Sequence, residues 1–348
     1  MGTVLTVIFY AIVMVFVFGV LIFIHEFGHF FTARRCGVAI KEFAVGMGPT
    51  LFSWNSKKYD TRYALRAFPI GGFVSMVGED EESEDENAFC NKSVWKRMII
   101  VVAGAVMNLL LGFVLMLMVV LLQGKIGSTI VADFSENAIS NQQLQVGDEI
   151  IKIDGTRVHS GNEVMYEITN KGYEPIDILV KRDGEKITLE NVVFSTFEED
   201  GIMFGNVDFM VLEESRSALN IIKQTFFRSV STVKMVYDSL IGLVSGRFGV
   251  DAVSGPIGVA EVVGSAAKTN YLSFIYIVSV LTINLGVVNL LPFPALDGGR
   301  FVFLAVEGIR RKPLNRKIEG YINFAGIIIL LAFMAFVSFK DILKLIFR

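Results

Sequence analysis

The chain has 348 residues, of which 53% are hydrophobic and only 19% are charged. Its net charge of −3 at neutral pH gives no reason to expect a nucleic acid as a partner, and two cysteines are too few for a disulfide scaffold. The mean hydropathy is +0.55, and the apolar residues are concentrated in long uncharged runs that a soluble core does not require.

Four uncharged runs are long enough to cross the roughly 30 Å hydrocarbon core of a bilayer. They are Met1–Ile24, Met98–Gln123, Thr269–Leu296 and Tyr321–Phe339. The first run lacks a basic leader and a small-residue cleavage site, so we expect a retained span and not a cleaved signal peptide. The sequence therefore predicts an α-helical polytopic membrane protein with four transmembrane helices.

The first run leads directly into the motif His25-Glu26-Phe27-Gly28-His29. On a helix, residues four apart share one face, so both imidazoles can hold one zinc ion while Glu26 activates a water molecule. The alternative is that the motif merely ends a helix among lipid headgroups, but ionisable groups at membrane depth are costly and usually functional. We interpret His25 and His29 as metal ligands and Glu26 as a catalytic residue.

Residues 40–78 are rich in β-branched and aromatic residues with interspersed glycines, which predicts a β-hairpin or a small sheet. The acidic segment 79–87 that follows is expected to be solvated and to have no catalytic part. Together with the first two spans, these residues make up a predicted membrane protease core over residues 1–123.

Residues 124–198 predict an inserted α+β domain. Residues 144–155 alternate apolar and polar positions, residues 163–170 suit a short helix, and an Asp183-Gly184 turn predicts a hairpin. His159 falls in a predicted surface loop of this domain.

Residues 199–268 form a predicted linker in which residues 216–245 carry apolar residues at helical spacing. This pattern predicts an amphipathic helix that rests either on the membrane surface or against the inserted domain.

The third run ends at the segment Asn289–Gly299, which offers the third ligand that a catalytic zinc requires. Asp297 is the candidate, because Pro292 and Pro294 interrupt the helix before it and two glycines allow a tight turn after it. Alone, this segment could simply be the loop that closes the span.

Asn108, Asn284 and Asn289 lie within the predicted spans. Asn289 could donate a hydrogen bond to an oxyanion as a catalytic residue, or it could bridge helices. For Asn108 and Asn284 we prefer the helix-packing interpretation.

Basic residues flank the spans unevenly. They cluster in residues 33–97 and 300–320, so the positive-inside rule places both segments in the cytoplasm and residues 124–268 outside the cell membrane. The first and third spans then both run inward. The two groups of candidate ligands arrive at the same depth, and residues 269–348 complete the membrane protease core.

The motif H-E-F-G-H after one span and N-x-x-P-x-P-x-L-D-G-G after another resemble the site-2 protease family of intramembrane zinc metalloproteases, in particular its bacterial branch. Supporting matches lie at Gly48-Pro49, Gly71-Gly72-Phe73-Val74 and Ser254–Gly258. Some bacterial members have two PDZ domains where this chain shows one, and many have Gly-Pro where it has Gly104-Ala105.

The resemblance implies further features. Residues 124–198 would be a single extracytoplasmic PDZ domain that screens substrates for prior trimming or has a purely structural role. Residues 40–78 would be a membrane-associated β-hairpin that either pairs with an extended substrate or serves as a lid.

We therefore expect a zinc metalloendopeptidase of the bacterial inner membrane, with Zn²⁺ as cofactor and its active site toward the cytoplasmic side. Its partners would be the lipid bilayer and a single-span membrane protein substrate, for example an anti-sigma factor. The rival interpretations are a non-enzymatic scaffold that presents the PDZ domain, and a transporter, which would favour more spans and repeated halves.

Overall fold

The computed structural model describes residues 2–58, 60–79, 81–199, 201–249 and 253–346. The fold divides into two units. Unit 1 comprises Met1–Gly112 and Ser254–Arg348, and unit 2 comprises Phe113–Val253. Unit 2 is therefore inserted in the sequence of unit 1, and it begins within the second predicted span.

Four helices are long and apolar enough to cross a membrane, which confirms the predicted number of spans for the described residues. They are α1 (Gly2–Arg35), α2 (Val94–Leu122), α6 (Tyr271–Asn289) and α8 (Arg316–Ile346). The third span was expected to run to Leu296, which is wrong. Helix α6 ends at Asn289 because Pro292 and Pro294 follow and disfavour helical backbone before them.

Two shorter helices of unit 1 were not anticipated. Helix α5 (Pro256–Thr269) begins with proline at its first turn, where the missing N–H has no cost, and its Val263 packs in the core beside α1. The buried carboxylate of Asp341 in α8 accepts the Gly258 N–H at 2.9 Å and so satisfies one free donor at the start of α5. Helix α7 spans Asp297–Arg310.

Residues 40–76 form the predicted hairpin, but it is folded back on itself. Strand β1 (Ile40–Asn55) pairs antiparallel with β2 (Arg62–Met76), and its residues 42–45 pair with residues 72–75 on one side and 62–65 on the other. Residues 62–66 pair in turn with 50–55, so the segment order is 72–76, 40–45, 62–66, 50–55.

Glycines allow the hairpin to fold back on itself. Gly46, Gly48 and Gly71 have φ values of 85°, 84° and 91°, a backbone region that glycine adopts without strain. The bend brings residues 72–76 to one edge of the small sheet, next to α1, and several apolar side chains of the hairpin remain exposed. The exposed ones are Met47, Leu51, Phe52, Trp54, Leu65 and Phe68.

Unit 2 is built on a six-stranded sheet in the order β10-β3-β4-β6-β7, with the short β5 on β4. The strands are β3 (Ile126–Phe134), β4 (Glu149–Ile153), β5 (Thr156–Arg157), β6 (Ile176–Arg182), β7 (Glu185–Val192) and β10 (Phe209–Glu214). A separate hairpin joins β8 (Ser195–Glu199) to β9 (Ile202–Asn206). The structure thus has the hairpin around Asp183-Gly184, and its sheet takes in a strand beyond residue 198.

Two helices accompany this sheet. Helix α3 (Gly161–Lys171) covers the core with its buried Val164 and Ile168. Helix α4 (Ala218–Val244) packs beside α3 through the Tyr166 hydroxyl, which donates to Asp238 at 2.8 Å. The ring of His159 is half-buried and stacks on Phe227 of α4, with 3.8 Å between the ring centroids.

The predicted amphipathic helix therefore has two different faces. One side packs within unit 2, while apolar residues at helical spacing remain exposed on the other: Leu219, Ile222, Phe226, Val230, Ile241 and Val244.

Candidate active site

Helix α1 presents the two motif histidines on one face, as their four-residue spacing predicts. The ring centroids of His25 and His29 are 4.8 Å apart, and their Nε2 atoms approach to 3.2 Å. Helix α1 continues past the motif to Arg35, so both imidazoles project from the interior of a continuous helix and not from a frayed end.

Asp297 joins them from the other end of the chain. Its Oδ2 atom lies 3.2 Å from His25 Nε2 and 3.4 Å from His29 Nε2. Asp297 is the first residue of α7, so its side chain is placed by the turn that precedes that helix.

The turn before Asp297 is held tightly. Ala295 adopts φ = 73°, an unusual value for a residue with a side chain, and its N–H donates to Asn323 of α8 at 3.2 Å. A methyl group added at Gly298 or Gly299 would collide with backbone atoms of residues 290–293. The glycines after Asp297 thus allow the close turn that the sequence predicts.

The three side chains fit a zinc ion. Tetrahedral coordination with bonds of about 2.0–2.1 Å places ligand atoms about 3.3 Å apart, and the three atoms here are separated by 3.2, 3.2 and 3.4 Å. Asp297 Oδ2 is also a buried atom with no hydrogen-bond partner among the described residues. A buried carboxylate oxygen facing two imidazole nitrogens is a combination that a cation would stabilise.

Helix α2 contacts both histidines at their Nδ1 side. The Ile100 carbonyl oxygen lies 2.9 Å from His29 Nδ1 and accepts a hydrogen bond from it, which leaves Nε2 free to bind a metal. Gly104 lies against both imidazoles, and a methyl group there would be only 2.8 Å from His25 Cε1 and from His29 Cε1. Neither Ile100 nor Gly104 belongs to a motif that predicts metal binding.

Glu26 points toward the small sheet. A methyl group added at Gly72 would lie 3.3 Å from Glu26 Cγ, and the backbone N–H of Val74 interacts with the Glu26 carboxylate. The edge segment 72–76 therefore approaches Glu26 closely because residue 72 has no side chain.

The three asparagines considered in the sequence differ in their distance from the candidate ligands and in their burial. Asn289 ends α6 and is half-buried, and within the described ranges no hydrogen bond joins its side chain to His25, His29 or Asp297. Asn284 is exposed, and its helix-packing interpretation stays a prediction. Asn108 is fully buried, with its Nδ2 atom 3.4 Å from His25 Nδ1.

A polar cavity of about 560 Å³ opens beside Asp297. Two ion pairs line it, Glu79 with Arg300 and Arg97 with Glu307, each at 2.5 Å. Glu79 was expected to be solvated with the rest of the acidic segment, but here it ties the end of β2 to α7. Asp80, the next residue of that segment, lies outside the described residues.

The family model described as Peptidase family M50 matches residues 13–333. A putative zinc metalloprotease of Fusobacterium nucleatum is 34% identical over 346 residues, covering 96% of this chain and 98% of the relative. Another, from Clostridium acetobutylicum, is 36% identical over 339 residues, covering 96% and 97%.

A third relative is the regulator of sigma-W protease RasP of Bacillus subtilis, which is 29% identical over 417 residues and covers 96% of this chain and 98% of the relative. The family match spans nearly the whole chain and includes both groups of candidate ligands. The chain belongs to peptidase family M50, which confirms the predicted resemblance to the site-2 proteases and the predicted class of metalloprotease.

Proposed function

We propose that the chain is an intramembrane zinc metalloprotease that cleaves a peptide bond within or beside a transmembrane helix of another membrane protein. The observation that carries this proposal is the convergence of His25 Nε2, His29 Nε2 and Asp297 Oδ2 to within 3.4 Å of one another. These residues would hold the zinc ion. Family membership and the names of the relatives support the same metal and reaction class.

When bound, zinc supplies Lewis-acid polarisation of the scissile carbonyl and lowers the pKa of a water molecule. The Glu26 carboxylate accepts the proton of the attacking water and then delivers a proton to the leaving amine. Asn289 contributes a side-chain N–H to the oxyanion that forms as the carbonyl is attacked. Its place at the end of α6, eight residues before Asp297, supports this role.

The edge segment 72–76 presents the substrate. A transmembrane helix must be unwound before its peptide bond can be attacked, and an edge strand can satisfy the freed backbone groups. Among the described residues, segment 72–76 pairs with one other segment of the small sheet and lies against Glu26. The exposed apolar residues of β1 and β2 support a position of this sheet partly within the membrane.

The orientation follows from the positive-inside rule. Residues 33–97 and 300–320 face the cytoplasm and residues 124–268 lie outside the inner membrane, so cleavage near Asp297 would release a cytosolic fragment. One relative is named regulator of sigma-W protease RasP. A membrane-anchored anti-sigma factor is the kind of substrate that this name suggests for the chain.

Within unit 2, we assign residues 124–198 as a PDZ domain that admits substrates only after their outer domain has been trimmed. The antiparallel sheet with α3 across its core supports this assignment. A PDZ domain binds an added strand or a free C-terminus, which a first cut would create.

The proposal is tested with purified protein and a model single-span substrate. Glu26→Gln should retain one zinc ion per chain, because Glu26 is not a ligand, and should lose activity by several orders of magnitude. Glu136→Gln, which changes an exposed acid of unit 2, is the matched control and should cleave normally. Cleavage by Glu26→Gln at the parental rate would reject the mechanism.

A further inference from the structure

Helix α2 presents three consecutive positions at four-residue spacing to the two imidazoles. Ile100 contacts His29 Nδ1 through its carbonyl, Gly104 lies against both rings, and Asn108 contacts His25 Nδ1 through its side chain. This stripe on α2 mirrors the four-residue spacing of the histidines on α1. Each imidazole thus has its Nδ1 atom directed at α2 and its Nε2 atom directed at Asp297.

The two Nδ1 contacts differ in chemistry. The Ile100 carbonyl can only accept, so His29 must carry its proton on Nδ1. For His25, the atom nearest to Nδ1 is Asn108 Nδ2, which can only donate. In that arrangement His25 would carry its proton on Nε2, pointing at Asp297 and His29, and a protonated Nε2 cannot bind a metal.

Asn108 shows a second mismatch. Its side chain is fully buried, with 0% exposure, and its Oδ1 atom has no hydrogen-bond partner among the described residues. Turning the amide by 180° exchanges Oδ1 and Nδ2, which have almost the same size. This exchange gives His25 Nδ1–H an acceptor and Oδ1 a donor, and it moves Nδ2 to the position where Oδ1 had no partner.

We propose that Asn108 is a positioning residue for the metal site, whose Oδ1 atom accepts the His25 Nδ1–H and fixes the imidazole with its Nε2 free for zinc. This inference rests on the proposed role of His25 as a ligand. Outer-shell partners of this kind orient a ligating histidine and increase its basicity. Asn108 then accepts the Nδ1–H of His25, just as the Ile100 carbonyl accepts the Nδ1–H of His29.

The alternative is that Asn108 only stabilises helix packing, as polar side chains in membrane spans often do. The chain offers a matched control for that role. Ser279 of α6 is also fully buried, and its hydroxyl donates to the Gly112 carbonyl of α2 at 2.9 Å, one turn beyond Asn108. Ser279→Ala removes an interhelical hydrogen bond from the same helix without touching an imidazole.

The experiment measures the zinc dissociation constant of the full chain in detergent by competition with a chelator, together with the thermal unfolding midpoint of the metal-free protein. Asn108→Leu removes the acceptor and should weaken zinc binding about 10- to 100-fold. Asn108→Asp keeps an acceptor oxygen and should restore affinity close to the parental value. Ser279→Ala should lower the unfolding midpoint and leave zinc affinity unchanged.

A spectroscopic measurement separates positioning from stability. Co²⁺ bound in place of zinc should give an altered visible spectrum in Asn108→Leu and the parental spectrum in Ser279→Ala. If the leucine variant cannot be recovered from membranes, Asn108→Ala makes the same comparison with a smaller side chain.

Parental zinc affinity and an unchanged Co²⁺ spectrum in a folded Asn108→Leu or Asn108→Ala chain would overturn the inference. So would an Asn108→Asp chain that binds zinc as weakly as the leucine variant. A parental chain that binds no zinc, or one whose affinity survives His25→Ala, would instead reject the proposed function. The two failures are therefore distinguishable.

Discussion

The Oδ2 atom of Asp297 lies 3.2 Å from the Nε2 atom of His25, although the two residues lie near opposite ends of the chain. The contact joins α1, which carries the motif histidines, to the first residue of α7. Although unit 2 lies between these residues in the sequence, all three residues of the candidate metal site lie in unit 1.

Asp297→Ala should bind zinc much more weakly than the parental chain, since it removes one of three protein ligands and leaves two imidazoles only. Metal content after gel filtration and a chelator titration measure the loss. Asp341→Asn, which changes a buried carboxylate in α8 that caps α5 and is remote in sequence from the ligands, is the control and should keep one zinc ion per chain. Unchanged affinity in Asp297→Ala would remove Asp297 from the ligand set.

The ligand candidates could be predicted from the sequence because imidazole and carboxylate side chains are common metal ligands. Histidines at i and i+4 share a helix face wherever the helix forms, and Asp297 stands out beside Pro294 and two glycines. The supporting residues could not be found in this way. Ile100 acts through its backbone carbonyl and Gly104 through having no side chain, so neither residue type signals a metal site.

The small sheet illustrates a second limit. Its strand composition predicts a hairpin, and a hairpin between Ile40 and Met76 is present. The pairing of the segments depends on the bends at Gly46, Gly48 and Gly71. The alternation of apolar and polar residues along a strand is the same before and after a bend, so it does not reveal which segments pair. The approach of Gly72 to Glu26 therefore appears only in the folded chain.

Gly104→Ala should abolish or severely weaken zinc binding. The added methyl group would meet imidazole atoms of both His25 and His29 at 2.8 Å or less, and neither ring can retreat without leaving Asp297. We expect a loss of affinity at least as large as the roughly 10- to 100-fold cost of losing an outer-shell partner. Zinc titration of the purified variant checks this expectation.

The control for this substitution is Gly320→Ala in α8, where the added methyl group has no neighbour within 4 Å. That variant should bind zinc like the parental chain, and its helix should be slightly more stable because alanine is the better helix former. Tight zinc binding by Gly104→Ala would mean that α2 does not pack against the histidines as described.

The proposed orientation predicts which positions a membrane-impermeant thiol reagent reaches in intact cells. In a background with Cys36 and Cys90 replaced by serine, Glu185→Cys in the exposed end of β7 should be labelled from outside. Lys57→Cys and Lys312→Cys, both at exposed positions, should be labelled only after the membrane is permeabilised. Labelling of Lys312→Cys in intact cells would invert the topology and place the site near the outer face.

Excising the sheet domain should separate substrate screening from catalysis. Glu214 of β10 pairs with Ile126 of β3, so the ends of segment 126–214 are neighbours in the sheet and a short glycine linker can replace the segment. Because all three proposed ligands lie in unit 1, the shortened chain should still bind one zinc ion. It should also cleave a model substrate that keeps its outer domain, which the full chain should reject.

This comparison needs two accompanying measurements. Helix α4 loses the surface on which Tyr166 contacts Asp238, so membrane insertion and zinc content of the shortened chain are measured before its activity. Glu26→Gln in the shortened chain should abolish cleavage and so exclude a contaminating protease. If the shortened, zinc-loaded chain still cleaves only substrates without an outer domain, the selection for trimmed substrates lies in the membrane core and not in residues 126–214.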